Sequence, residues 1–203
     1  MKLLFLDTET TGTDPKVHGV IQISGIIEID GKEKERFDFR CATFPQDVIH
    51  PDALKVNGVT MEQIRAYPAP ETAYLQLIKI LDKHIDRYDK TDKFSLVGQN
   101  VKFDYDMMSE WFKKNGNNFW YAYVDYHLID LVAATAIFTA AGLIKLPNMK
   151  LATVAEYFGI KFEAHNSMAD IEATRSIFYK YVDIIKGEEP PKPQVASDEL
   201  VME

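Results

Sequence analysis

Two acidic residues stand one position apart at the end of an apolar run. Asp7 and Glu9 follow residues 3–6 and precede Gly12 in the stretch FLDTETTG. Side chains two residues apart in a strand point to the same face, so these two carboxylates can lie side by side. There they repel each other unless a hard divalent cation such as Mg²⁺ or Mn²⁺ lies between them. The simpler alternative is that one acid points to solvent beyond the end of the strand.

A third acid follows a second apolar strand. Asp104 lies in the stretch GQNVKFD, early in the helix predicted after that strand. Functional groups of open α/β sheets cluster at the carboxyl ends of the strands, so Asp104 is expected beside the end of the first strand. The alternative is that Asp104 only stabilises the positive end of its helix, a role that Asp106 could also fill.

A histidine and a fourth acid stand together at the start of the last predicted helix. In the stretch HNSMADIEAT, His165 precedes the candidate caps Asn166 and Ser167, and Asp170 falls in the first turn. Taken alone, Ser167 and Asp170 are typical of a helix capping box, with His165 an ordinary surface residue. Together with three other acids that follow strands, the pattern favours a shared site.

The elements that must position these residues indicate an α/β protein. A strand is predicted over residues 2–9, and two strand-like runs flank Asp30 and Gly31, a pair typical of a hairpin turn. Strands alternating with helices after a hairpin predict a mixed sheet flanked by helices, with three strands in an antiparallel meander and two parallel. The further predicted strands are 94–98 and 119–126, and the predicted helices lie within 50–64, 70–88, 101–116, 127–142, 149–159 and 167–187.

Composition excludes several classes of protein. A net charge of -8 argues against a broad basic surface that coats nucleic acid or membrane. Cys41 is the one cysteine, so the chain has no internal disulfide. No apolar run has the length of about 20 residues that a membrane span needs. We expect a soluble cytoplasmic protein with no membrane partner, whose Pro- and acid-containing tail, residues 187–203, is disordered.

Taken together, the stretches FLDTETTG, GQNVKFD and HNSMADIEAT resemble the three signature segments of the DEDDh exonucleases. That family includes the epsilon proofreading subunit of bacterial DNA polymerase III, ribonuclease T and oligoribonuclease. The resemblance runs from about residue 2 to residue 185, and four residues separate His165 from Asp170, as in the histidine branch of the family. All five motif residues are present in order: Asp7, Glu9, Asp104, His165 and Asp170.

The resemblance implies a ribonuclease H-like fold over residues 1–186 and an enzyme that uses two divalent ions, Mg²⁺ or Mn²⁺. It implies that four carboxylates hold the ions, with Asp7 bridging them, and that His165 acts as general base toward the attacking water. The metal ligands carried over in this way are Asp7, Glu9, Asp104 and Asp170.

The resemblance also assigns six residues to contacts with the terminal nucleotides: Thr10, Thr11, Asn57, Val59, Asn100 and Phe103. Thr10 and Thr11 would donate backbone N–H groups, and Val59 and Phe103 would stack on bases. Asn57 and Gln99 stand where family members often have histidine, and Phe103 has the alternative role of a core residue of its helix.

The function implied is hydrolysis of phosphodiester bonds from single-stranded 3′ ends, with release of nucleoside 5′-monophosphates. DNA in a proofreading or repair setting is the first expectation, and a DNA polymerase is then a candidate partner. Two alternatives stay open: an exoribonuclease of the ribonuclease T or oligoribonuclease type, and a catalytically silent module associated with a polymerase. A phosphate-binding loop after the first strand is disfavoured, because Asp7 and Glu9 would repel the phosphate.

Overall fold

The computed structural model describes residues 1–162 and 166–191 and contains one five-stranded sheet with helices on both faces. The strands are β1 (Lys2–Thr10), β2 (Val20–Ile29), β3 (Lys32–Arg40), β4 (Ser95–Gly98) and β5 (Ile129–Asp130). The helices are α1 (Pro51–Asn57), α2 (Met61–Ala66), α3 (Pro70–Leu81), α4 (Val101–Lys114), α5 (Leu131–Ala140), α6 (Leu151–Tyr157) and α7 (Ser167–Ile185). Within the described ranges, no helix is long and apolar enough to cross a membrane.

The sheet confirms the predicted mixed topology, with the strand order β3-β2-β1-β4-β5. β1, β2 and β3 pair antiparallel, whereas β4 pairs parallel with both β1 and β5. Asp30 and Gly31 connect β2 to β3 with φ values of 53° and 74°. Two successive positive φ values match the right-handed twist of the flanking strands, which explains why this dipeptide makes the hairpin.

The two faces of β1 pack against different helices. Leu4 and Leu6 belong to the large apolar cluster that includes side chains of α3 and α4. Leu3 and Phe5 pack instead with Ile171 of α7. Because side chains alternate along a strand, the next two residues in the Leu3 and Phe5 series are the acids that end β1. The strand therefore delivers its carboxylates to the face covered by α7.

The predicted strand at residues 119–126 is wrong. Residues Trp120–Ala122 form a 3₁₀ turn, and β5 begins at Ile129, seven residues after Ala122. Trp120 and Tyr123 are both buried, and both rings pack on Phe112. A spacing of three residues between buried rings suits a 3₁₀ turn rather than a strand, in which they would point to opposite faces. Only Val124 of this segment pairs with the sheet, through a single bridge to Phe94.

The predicted helix within residues 70–88 is shorter than expected, because α3 ends at Leu81. Beyond it, carboxylates accept hydrogen bonds from nearby backbone N–H groups, such as Asp86 from Tyr88 and Asp89 from Thr91. Aspartate side chains that bond in this way stabilise turns in competition with a helix. Ile85 is buried, although it lies outside the helix.

A charged network fixes α7 against the sheet. Glu28 of β2 is buried, and it accepts hydrogen bonds from the Arg175 guanidinium and the Tyr179 hydroxyl, both on α7. Arg175 also contacts Glu33 of β3 at 3.2 Å. This network holds the helix whose first turn carries Asp170.

Candidate active site

Three carboxylates converge where β1 ends beside the first turn of α7. Asp7, Glu9 and Asp170 each offer an oxygen, and these three oxygens lie within 4.8 Å of one another. All three side chains retain partial exposure, so the cluster can exchange ions with solution. Carboxylate oxygens at this spacing suit a hard divalent cation, and the donor set therefore fits the metal that the sequence predicts.

Asp104 lies at the edge of this cluster, held by the backbone of β1. One of its oxygens, Oδ1, accepts hydrogen bonds from the Thr8 N–H at 2.9 Å and the Thr8 hydroxyl at 2.7 Å. Asp104 is 4% exposed and belongs to the first turn of α4, which packs on the opposite face of the sheet from α7. It is not among the three acids whose oxygens meet within 4.8 Å. The structure thus brings all four predicted acids to one strand end.

Burial and mutual repulsion both raise the pKa values of carboxylates in this cluster. Desolvation, followed by the negative charges of Asp104, Glu9 and Asp170, raises the pKa of Asp7 well above its usual value. Burial also raises the pKa of Asp104 to about 7, although the hydrogen bonds from Thr8 act against this rise. A bound cation would remove the repulsion and return the carboxylates to their charged form.

The start of α7 differs from a capping box. Asn166 is the N-cap, and its side chain accepts a hydrogen bond from the N–H of Ala169. Ser167 is therefore not the N-cap. Its hydroxyl is buried beside Asp7 and opposes the rise of the Asp7 pKa. This hydroxyl makes no hydrogen bond of normal geometry to a described residue. Asp170 is therefore available to the cluster. His165 lies outside the described residues.

A cleft of about 410 Å³ adjoins the strand end on the side of α1. Its lining includes Thr10, Asn57 and Val56, and the amide of Asn57 donates to the carbonyl of Thr10 at 2.8 Å. Val56 is 59% exposed, and it is not among the residues predicted from the sequence to contact a nucleotide. The sequence feature that could have identified it is an apolar residue next to Asn57 on a short predicted helix. An exposed valine at that position has no packing role.

The ring of His18 packs against Gly12 in the turn after β1. A Cβ at Gly12 would lie 2.3 Å from the ring of His18, so the ring can close over the turn only if residue 12 has no side chain. Thr11 is fully buried beneath this turn, and its N–H already donates to the carbonyl of Gly19 at 2.9 Å. Thr11 therefore holds the turn, and its N–H is not available for the predicted contact with a nucleotide.

The other predicted substrate residues have three different surroundings. Val59 lines a smaller polar pocket together with Glu9. Asn100 precedes α4 in the left-handed conformation, with φ 58°, and its N–H donates to Asp130 at 3.2 Å. Phe103 is half-buried and packs against the large apolar cluster, in agreement with its alternative role as a core residue.

Known proteins share this sequence pattern and this fold. A family model described as exonuclease matches residues 4–178. The PolC-type DNA polymerase III of Thermotoga petrophila is 26% identical over 182 residues, which cover 89% of this chain and 12% of the polymerase. The ribonuclease T of Photobacterium profundum is 26% identical over 191 residues, covering 88% of this chain and 80% of that enzyme.

Solved structures of exonuclease I have the same fold. One superposes with a TM-score of 0.73 at 22% identity, covering 90% of this chain and 41% of that chain. The Escherichia coli enzyme in complex with a dT13 oligonucleotide gives a TM-score of 0.73 at 21% identity, covering 93% and 42%. The fold is thus ribonuclease H-like, as expected. The chain spans about an eighth of the length of the polymerase that it matches.

Proposed function

Because the chain belongs to the exonuclease family, we propose that it is a metal-dependent 3′-to-5′ exonuclease acting on single-stranded 3′ ends and releasing nucleoside 5′-monophosphates. The observation that carries this proposal is the meeting of Asp7, Glu9 and Asp170 within 4.8 Å at the end of β1. Asp104 adds a fourth carboxylate from the neighbouring helix. We assign the nuclease domain to residues 1–186.

We propose that the cofactor is a pair of divalent ions, Mg²⁺ or Mn²⁺, held by Asp7, Glu9, Asp104 and Asp170. When bound, such ions activate the attacking water and stabilise the leaving oxygen of a phosphodiester. The raised pKa of Asp7 supports this assignment, because four carboxylates gathered at a strand end without a cation are costly. Thr8 orients Asp104, and the buried Ser167 hydroxyl remains available as a donor at the same place.

His165 is proposed as the general base. Its neutral form has the basicity needed to take a proton from water near pH 7. Its position in the chain supports the assignment, because it directly precedes Asn166, the N-cap of the helix that presents Asp170.

The terminal nucleotide is proposed to occupy the cleft beside α1. Val56 offers an exposed apolar surface on which a base can stack, and Asn57 fixes the strand end through its bond to Thr10. Val59, Asn100 and Phe103 remain proposed contacts from the sequence. Stacking of a base on an aromatic ring such as that of Phe103 contributes about 1–3 kcal/mol without needing a basic surface.

DNA is the proposed substrate, in a proofreading or repair setting with a DNA polymerase as candidate partner. The match to a PolC-type DNA polymerase III and the fold shared with exonuclease I, which was solved with dT13, support this choice. The similarity to a ribonuclease T favours RNA as the second candidate, and it extends over more of the relative's length.

The test is release of nucleotides from 5′-labelled single-stranded DNA and RNA oligomers of matched sequence, with Mg²⁺, Mn²⁺ or EDTA. We expect a stepwise ladder that requires metal, is lost in Asp7→Ala, and persists in Asp106→Ala, a control acid on the exposed side of α4. The ratio of DNA to RNA rates chooses between the two substrates. No cleavage of either polymer with any metal would contradict the proposal and favour a silent module.

A further inference from the structure

A second cleft opens at the amino ends of β1 and β4, the opposite end of the parallel pair from the acidic cluster. Its volume is about 670 Å³, and it lies between the segment after α3 and the segment after α4. We name it the distal cleft. Three aromatic and three cationic side chains define it: Tyr88, Phe119, Tyr121, Arg87, Lys90 and Lys93.

Three of the aromatic rings that line the distal cleft face solvent. Tyr88 is 82% exposed, Phe119 57% and Tyr121 53%. Phe119 and Tyr121 meet edge to face with ring centres 5.9 Å apart, so they form one aromatic surface. Exposed rings of this size contribute little to the core, and grouped at one cleft they mark a binding surface.

Two of the cations lie over these rings. The Arg87 guanidinium is 5.2 Å from the centre of the Tyr88 ring, and the Lys93 ammonium is 5.8 Å from that of Tyr121. Arg87 also reaches the hydroxyl of Tyr123, at 3.4 Å. Each cation is thus held beside a flat apolar face.

None of the three cations forms an ion pair in residues 1–162 and 166–191. Nearby acids have other direct partners: Asp82 accepts a hydrogen bond from the Tyr123 hydroxyl, Asp86 and Asp89 accept backbone hydrogen bonds, and Asp92 pairs with Lys2 at 2.5 Å. Asp125 lies near enough to Lys93 for the ammonium charge to contribute to lowering the Asp125 pKa. In a chain with a net charge of -8, the distal cleft thus groups three cations that no described acid pairs with directly.

We propose that the distal cleft is a second binding site for single-stranded nucleic acid, which holds the strand upstream of the 3′ end being digested. Its role in digestion rests on the proposed function. Single-strand sites combine cations that contact phosphates with rings on which bases stack, and the distal cleft offers both.

The distance between the two sites suits a strand of moderate length. Ser95 lies opposite Leu3, Lys93 precedes Ser95 by two residues, and Asp7 follows Leu3 by four. At about 3.3 Å per strand residue, roughly 20 Å separates the level of Lys93 from that of Asp7. A stacked strand rising about 3.4 Å per nucleotide needs roughly six nucleotides for this span. Trinucleotides therefore cannot occupy both sites.

The first test measures binding of fluorescent dT20 in EDTA, where no metal supports cleavage. The double variant Lys90→Glu with Lys93→Glu should weaken binding about tenfold or more, and Tyr88→Ala about fivefold. The matched controls are Lys32→Glu with Lys34→Glu, two exposed lysines of β3, and Tyr126→Ala, an exposed ring outside the cleft. These controls should bind within twofold of the wild type.

Salt dependence gives an independent readout. Loss of two phosphate contacts should make the plot of log K against log salt concentration less steep by about 1.4. In Mg²⁺, the ratio of kcat/KM for dT20 to that for dT3 should fall about tenfold in the double lysine variant. The ratio isolates the distal cleft, because both substrates use the same acidic cluster.

The outcomes separate the two proposals. Metal-dependent digestion with dT20 binding unaffected by the cleft variants would overturn the distal site and leave the nuclease intact. Binding of dT20 that depends on Tyr88 and Lys93 without digestion would support the site and contradict the nuclease. Binding of a glutamate-tyrosine copolymer, lost in the same variants, with no binding of dT20 would overturn the nucleic-acid proposal in favour of an acidic protein partner.

Discussion

Helix α7 contacts carboxylates of the sheet at two places, and its side chains have opposite charges at the two. In its middle, Arg175 and Tyr179 bond to the buried Glu28, so a negative charge is neutralised inside the protein. In its first turn, the same helix adds Asp170 to Asp7 and Glu9, so negative charges accumulate. The difference shows that this sequence can pair a buried acid with a cation and does so where the role is structural.

The proposed function assigns a metal to the acidic cluster. The largest charge effects on Asp7 come from three other carboxylates, and they raise its pKa. In that proposal, a divalent ion would supply at this place the charge that Arg175 supplies five residues after Asp170. Removing a member of the cluster should cost function, whereas removing a member of the Glu28 network should cost stability.

The largest expected effect is on turnover in Asp7→Asn. We expect kcat to fall about a thousandfold or more, because the proposed metals lose their shared ligand. The apparent affinity for Mn²⁺ should fall too, whereas in EDTA the melting temperature at pH 8 should rise, because one repelling charge is gone. Calorimetry, thermal melts and nucleotide release measure the three quantities. A lower melting temperature in EDTA would show that Asp7 has a structural role like that of Glu28.

His165→Ala should separate proton transfer from metal binding. Loss of a general base lowers turnover by about 10²–10⁴-fold, whereas the carboxylates keep their ion. We expect the Mn²⁺ affinity measured by calorimetry to stay within twofold of the wild type. An equal loss of metal affinity in His165→Ala and Asp7→Asn would contradict this division of labour.

Arg175→Ala should destabilise the protein by about 3 kcal/mol, because it leaves Glu28 buried without its cation. This figure is at the lower end for broken buried pairs, since the Arg175 side chain is 29% exposed. Urea unfolding measures the change. The exposed Arg65→Ala is the control, for which we expect less than about 0.5 kcal/mol. If Arg175→Ala lowered the free energy of unfolding by no more than this control does, the network would not hold α7.

The last prediction concerns pH. The pKa of Asp104 rises from its ordinary 3.8 to about 7 in the folded state. A carboxyl with a raised pKa binds its proton more tightly when folded, so its stabilising contribution is present below about pH 4 and is lost as the pH rises to about 7. In EDTA, the free energy of unfolding should fall across this range. Excess Mg²⁺ or Asp104→Asn should flatten the curve, and a flat curve in EDTA would contradict the raised pKa.

Much of this molecule could be predicted from local pattern. The hairpin at Asp30 and Gly31, the alternation along β1 and the helical spacing in α4 and α7 depend on near neighbours, and the structure confirms them. The predicted secondary structure was wrong where side-chain hydrogen bonds or side-chain packing favoured a turn over the predicted helix or strand. The aspartates after Leu81 formed turns, and the buried Trp120 and Tyr123 imposed a 3₁₀ turn on an aromatic stretch with strand propensity.

The site was predictable in its acids and less so in its surroundings. The order and spacing of the four acids are properties of the sequence, and alternation along β1 requires Asp7 and Glu9 to share a face. The roles of Val56 and Thr11 depend on how a distant loop packs against the turn after β1. Neither the hydrogen bond from the Thr11 N–H to Gly19 nor the position of Val56 at the cleft can be predicted from neighbouring residues in the sequence.

By itself, the sequence determined the topology of the sheet, the residues able to ligate a metal and the family, because these follow from short-range periodicity and from ordered motifs. Only the tertiary structure decided which charges meet. Residues 147 positions apart pair Glu28 with Arg175, and chain closure gathers the rings and cations of the distal cleft at one end of the sheet. Electrostatic energy depends on distance through space, and the fold alone sets that distance.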